Sequence, residues 1–151
     1  MPLTMPEFDR RIRQHVYEVT LGRGYPPTLA EAAASLDVPV SDIRDACERL
    51  AQGHILVLQQ GSGEILMASP FSAVPTTFRV ELEAFSCFGN CIWDALGVPA
   101  MLRTDARIET ICPDCDASLS LSILNGALQP AEGIVHFALP ARRWWDDIVF
   151  S

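Results

Sequence analysis

Apolar residues recur at helical spacing through the first fifty positions and in alternating or short runs afterwards. Phe8, Ile12, Val16 and Val19 share one side of a helix predicted over residues 6–20, with Arg10, Arg11, Arg13 and Glu18 between them. Gly22, Gly24, Pro26 and Pro27 end it. Thr28-Leu-Ala-Glu31 then fits a capping box, in which hydroxyl and carboxylate satisfy free amides at a helix start, and predicts a second helix to about Leu36. Asp37-Val-Pro39 is the turn before a third helix. Ser41 is its expected cap, and Ile43, Ala46, Cys47 and Leu50 form its apolar stripe, which makes Cys47 a buried structural thiol. Gly53 stops this helix. Residues 54–59 and 64–67 are β-rich runs joined by Gln60-Gly-Ser-Gly63, a hairpin signal. Three helices with a tight second turn, followed by a hairpin, are the plan of a winged helix-turn-helix.

Residues 68–77, with Pro70 and Pro75 among small polar side chains, read as a linker. Phe78-Arg-Val-Glu-Leu-Glu83 alternates as a half-exposed strand does. A helix is predicted from Cys91, capped by Asn90, with Ile92, Ala95, Leu96, Pro99 and Met101 on its apolar side. Residues 107–111, 118–123 and 133–139 read as strands, and the segment Trp144-Trp-Asp-Asp-Ile-Val-Phe150 as helical. The expected class is α+β, with a winged-helix-like three-helix domain with β-hairpin over residues 1–70 and a small mixed α/β domain over 71–151.

Composition narrows the function. Hydrophobic residues make up 49% of the 151, enough to fill a core, and no apolar run approaches the roughly 18 residues that span a bilayer. The N-terminus lacks the basic region and apolar block of a signal peptide, so the reading is a cytoplasmic protein without a membrane partner. Net charge is −8. Neither half is basic: six arginines face nine acids up to Pro70, and five face ten beyond it. The outward positions of the third helix would be Asp42, Arg44, Asp45, Glu48 and Arg49, three of them acidic where a recognition helix offers donors to bases and phosphates. Nucleic acid is therefore an unlikely partner. His15, His54 and His136 read as packed or surface residues, and Trp93, Trp144 and Trp145 as core.

Four of the five cysteines fall in one window, Cys87 and Cys91 followed by Cys112 and Cys115. Thiolates are soft ligands and good nucleophiles, and clustered cysteines in a reducing compartment are more often metal-binding or catalytic than bridged. Asp94 lies one helical turn from Cys91, so the two share a face. In the first turn of a helix, Cys91 would have its pKa lowered by the free amides and the helix dipole. Cys87-x3-Cys91 with Cys112-x2-Cys115 is also near the spacing of a four-cysteine zinc site.

At Asn90-Cys-Ile-Trp-Asp-Ala-Leu-Gly-Val-Pro99 the sequence resembles the organomercurial (alkylmercury) lyase family. The resemblance runs back through Pro70-Phe-Ser-Ala-Val-Pro75 and the N-terminal half, and forward through Arg107-Ile-Glu-Thr, Cys112 and the Trp-Trp-Asp-Asp segment. It implies protonolysis of a carbon–mercury bond by two cysteines and an aspartate, with no added cofactor and with mercury as the substrate ion. It also implies an N-terminal winged-helix-like half that does not bind DNA. Carried across by motif, Cys91 resembles the first catalytic thiol, Asp94 the acid, and Cys112 a cysteine with a more structural role. The family's second catalytic cysteine lies just beyond the aromatic segment, where this chain has Ser151, a hard and weakly acidic ligand. Cys87, Cys112 and Cys115 are the thiols left to take that part.

Three functions are therefore set against one another. The first is an organomercurial-lyase-like enzyme using Cys91 and Asp94. The second is a non-catalytic protein holding zinc or another thiophilic metal through Cys87, Cys91, Cys112 and Cys115. The third is a winged-helix metal-responsive regulator. An organomercurial or soft-metal ligand is the expected partner, and an open sheet edge would allow a homodimer.

Overall fold

The structure, a computed structural model, describes residues 5–130 and 132–149. It is a mixed α and β chain whose strands all pair antiparallel. Helices α1 (Glu7–Arg23), α2 (Leu29–Leu36) and α3 (Val40–Gln52) come first, as the 3.6-residue periodicity predicts. They bury Ile12, Val16, Leu29, Ala32, Ile43, Ala46, Cys47 and Leu50 in one core. The capping box at α2 is formed in full: the Thr28 hydroxyl accepts from the Glu31 amide, and the Glu31 carboxylate accepts from the Thr28 amide. Helix α3 starts earlier than Ser41 suggests, with Pro39 as its N-cap, because the fixed φ of proline suits the residue that opens a helix.

Both arginines of α3 are engaged within the fold. Arg49 makes two hydrogen bonds, 2.6 and 2.9 Å, to the buried carboxylate of Asp9 on α1, and Arg44 donates to the Ser62 carbonyl at 2.8 Å. Strands β1 (Val57–Leu58) and β2 (Ile65–Ala68) form the expected hairpin. The stretch read as a linker is instead part of the fold. The chain turns at once into β3 (Phe71–Ser72), which pairs with β2, and Phe71 is fully buried in a second core.

That second core lies between a five-stranded sheet and helix α4 (Ile92–Leu102). The sheet has the order β5-β4-β6-β7-β8, with β4 at Arg79–Glu81, β5 at Ser86–Phe88, β6 at Ala106–Ile111, β7 at Ser118–Leu124 and β8 at Ala127–Gln129. Strands β3, β5 and β8 are two or three residues long, too short to leave a periodic signal in the sequence. The inward face carries Val80, Cys87, Ala106, Ile108 and Ile123, and α4 contributes Ala95, Val98 and Pro99. Met101, expected on that face, is exposed.

The run 133–139 is not a strand: Ile134 is 93% exposed, and no strand among the described residues offers it a ladder. It leads into a 3-10 helix, Ala141–Asp146, which starts before the helical segment predicted over 144–150 and ends within it; Phe150 lies outside the described residues. Trp93 and Trp145 are exposed, not core. Among the described residues no helix is long and apolar enough to cross a membrane.

Besides the pairing of β2 with β3, Tyr17 and Gly24 tie the halves together. Tyr17 of α1 packs against both cores, and its hydroxyl donates to the Ser69 carbonyl at 2.8 Å. Gly24 caps α1 in the left-handed region, φ 95°, and a Cβ there would stand 2.0 Å from the Ser86 carbonyl oxygen of β5. Only glycine meets both conditions.

Candidate functional site

Strand β5 delivers the chain to Gly89, whose amide donates to the Phe78 carbonyl at 2.9 Å and whose carbonyl accepts from the Thr76 hydroxyl at 2.6 Å. A bridge to Phe71 holds it from the other side. The following turn puts Cys91 at the N-cap of α4 in an extended conformation, φ −149° and ψ 178°, so the cap is Cys91 and not Asn90. The Cys91 carbonyl accepts from the Ala95 amide at 3.0 Å, and Asp94 falls in the first turn.

Gly89 is what lets this turn close. A Cβ on it would lie 2.7 Å from the Ala95 nitrogen and 3.1 Å from the Cys91 oxygen, both backbone atoms that cannot swing aside. Gly89→Ala is expected to cost about 1–3 kcal/mol, the range for overpacking a filled site. Urea denaturation measures it, and an unchanged midpoint would refute the close approach.

Cys91 and Asp94 are both half-buried and lie beside each other. Burial pushes the Cys91 thiol up from its ordinary value, and the Asp94 charge adds to that. The amides of Asp94 and Trp93 face the sulfur and favour thiolate, but without closing a capping hydrogen bond they are outweighed. This reverses the lowered pKa expected for a first-turn cysteine, since the dipole gain is small beside desolvation. At neutral pH the group rests as a thiol. Burial also raises the Asp94 carboxyl, against the pull of the Asn90 side-chain amide, which donates to Oδ2 at 2.9 Å. The Asn90 oxygen, by contrast, is buried with no hydrogen-bond partner among the described residues. Burial raises the Tyr17 phenol; the Arg13 charge opposes this, and the Asp94 charge adds a smaller upward push.

Aromatic rings gather at this end of α4. Trp93 meets Phe137 edge-on at 6.5 Å, and Phe137 leans on Trp144 at 4.9 Å, so the segment after β8 returns to the turn that carries Cys91. Trp145 stacks on His54 at 3.9 Å.

The other cysteines go elsewhere. Cys87 is 2% exposed on the inward face of β5, and burial pushes its thiol to about 11. Cys47 sits in the first core, also at about 11. Cys112 and Cys115 occupy the turn between β6 and β7. The four-cysteine metal site is therefore not assembled: among the described residues, no three or more His, Cys, Asp or Glu side chains come together to hold an ion. The spacing suits zinc, but the sheet holds Cys87 in the core while the other pair lies on a surface turn. Ser151, the position of the expected second catalytic thiol, lies outside the described residues.

The profile of the alkylmercury lyase (MerB) family matches residues 71–150, which hold Cys91, Asp94 and the CxxC turn. The chain belongs to the alkylmercury lyase family. Among solved structures it is similar to one described as the mercury-bound form of MerB2, with a TM-score of 0.61 and 21% identity. The likeness covers 83% of this chain and 60% of that one, so the chain spans less than two thirds of this relative's length. At that identity the likeness shows a common fold, which reaches into the N-terminal half beyond the family match. No curated protein matches the sequence.

Two residues around Cys91 and Asp94 were not singled out for the roles they take. Asn90 was read as a cap but instead holds the Asp94 carboxylate; their i, i+4 spacing is the signal that could have revealed it. Tyr17 comes from the other half of the chain, and nothing local to its sequence marks it.

Proposed function

We propose that the chain is an organomercurial-lyase-like protein that binds an organomercury cation through Cys91 and uses Asp94 to carry the proton that cleaves the carbon–mercury bond. The observation that carries this reading is a half-buried thiol at the N-cap of α4 with a half-buried carboxyl beside it in the first turn, in a chain of the alkylmercury lyase family. Mercury displaces the Cys91 proton as the sulfur–mercury bond forms, and the Asp94 carboxylate takes that proton. Its elevated pKa makes it a better acceptor than a solvated carboxylate. Asp94 then gives the proton to carbon. The electron pair of the carbon–mercury bond becomes the new carbon–hydrogen bond, and the mercuric ion stays on sulfur until an external thiol removes it. Asn90 keeps Oδ2 fixed through both transfers. No cofactor is needed, because the metal is substrate.

The N-terminal half serves this site as a winged-helix-like scaffold and not as a DNA reader. With Arg44 and Arg49 committed to Ser62 and Asp9, the outward face of α3 is left to Asp42, Asp45 and Glu48, which repel phosphate. Purified protein incubated with phenylmercury and excess small thiol is expected to release benzene, measured by gas chromatography. Release no greater than that of the Cys91→Ser variant would overturn the proposal.

A further inference from the structure

The turn between β6 and β7 carries chemistry that the Cys91–Asp94 pair does not use. Strands β5 and β6 flank β4, and both are antiparallel to it, so they run in the same direction. Phe88, Arg79 and Glu109 form one rung across the three strands. Cys91 follows Phe88 by three residues and Cys112 follows Glu109 by three, so both thiols leave the same end of the sheet. Ala106, Ile108 and Thr110 are the buried residues of β6, and half-buried Cys112 continues their alternation toward the α4 side. On the same side of β6, the Thr110 hydroxyl is buried with no hydrogen-bond partner among the described residues.

The turn is closed tightly. The Cys112 amide donates to the Ala117 carbonyl and the Asp116 amide to the Cys112 carbonyl, each at 2.9 Å, with Asp116 in the left-handed region at φ 57°. This backbone brings the Cys112 and Cys115 side chains into hydrogen-bonding contact and points the amides of Asp114 and Cys115 at the Cys112 sulfur. Those donors hold the Cys112 thiol below its usual value. Cys115 is exposed, and both cysteines are free. The balance at Cys112 is the opposite of that at Cys91: here the amide donors outweigh burial, whereas at Cys91 burial outweighs them.

We propose that Cys112 and Cys115 form a two-thiolate surface site for a soft divalent cation of the mercuric type, separate from Cys91 and Asp94. Binding forms two sulfur–metal bonds and releases two protons to solvent, with no change of oxidation state. Two ligands on one turn suit an ion satisfied by two thiolates, whereas an ion needing four protein ligands finds no third among the described residues. The open side of the ion faces solvent, where an external thiol can exchange it. This inference is independent of the lyase reading, since it needs neither Cys91 nor Asp94.

The test uses the full chain carrying Cys91→Ser, so that the first site is absent. Mercuric chloride is titrated in the presence of a competing monothiol and followed by thiolate-to-mercury absorption in the ultraviolet. One equivalent should bind; adding Cys115→Ser should weaken it about 100-fold, the usual scale for losing a second, intramolecular contact, and adding Cys112→Ser as well should abolish it. Circular dichroism checks that the variants remain folded. Independently, mercury-loaded Cys91→Ser protein is alkylated and its peptides weighed: Cys112 and Cys115 should both be protected. Equal affinity in the variant lacking both turn cysteines, or free alkylation of both in the loaded protein, overturns the proposal.

Discussion

Serine at position 91 is expected to reduce hydrocarbon release from an organomercurial by at least about 100-fold, since even an outer-shell partner of a metal ligand costs 10–100-fold when removed. The substitution keeps the size and position of the N-cap. Serine is a favoured capping residue, so α4 should hold or gain stability while activity falls. That divergence is what separates a chemical role from a structural one. A hydroxyl is a hard ligand of high pKa and cannot replace a thiolate on mercury. Parallel denaturation curves with collapsed release would support Cys91 as the metal ligand; release at the wild-type rate would remove it from the mechanism.

Asparagine at position 94 should lower the rate by about 10²–10⁴-fold, the contribution of a positioned acid–base group. The amide is nearly isosteric with the acid, so a variant that still takes up the organomercurial but fails to cleave it would place the loss in the proton step. The pH behaviour carries a sign. Asp94 has its pKa raised by burial, so its protonated form persists to higher pH than that of a solvated carboxyl. Cys91 is raised as well, and its metal-free thiol therefore deprotonates above its ordinary value. Alkylation of Cys91 in the free protein should rise with pH through that range, and Asp94→Asn should move the rise to lower pH by removing a repelling charge. A shift in the other direction would mean that the two groups are not coupled as described.

The helices were legible because each carried its own evidence. The Thr28–Glu31 capping box and the stripe from Ile43 to Leu50 belong to single short windows and need no distant partner. The hairpin from Val57 to Ala68 was legible for the same reason. The second half was harder. Phe71–Ser72 looks like linker until β2 pairs with it, and the apolar run from Gly133 to Leu139 looks like a strand although no strand among the described residues offers it a ladder. Pairing is decided by tertiary contact, which β-propensity does not contain. The closeness of Cys91 and Asp94 could be read from one helical turn. The direction of the Cys91 pKa could not, because depth of burial depends on how the rest of the second half packs around the start of α4. The four-cysteine spacing misled for a related reason: local intervals compatible with zinc say nothing of which side of a sheet each sulfur occupies.

Tyr17 imposes a constraint on how such a chain can change over time. Its ring fills space in both cores, its hydroxyl is tied to Ser69, and it stands close enough to Asp94 to share its field. Selection at this one position therefore answers to the packing of two halves and to the surroundings of the acid together. The N-terminal half cannot be exchanged for an unrelated domain without emptying the space that Tyr17 fills in the second core, so the packing of the two halves has to change together.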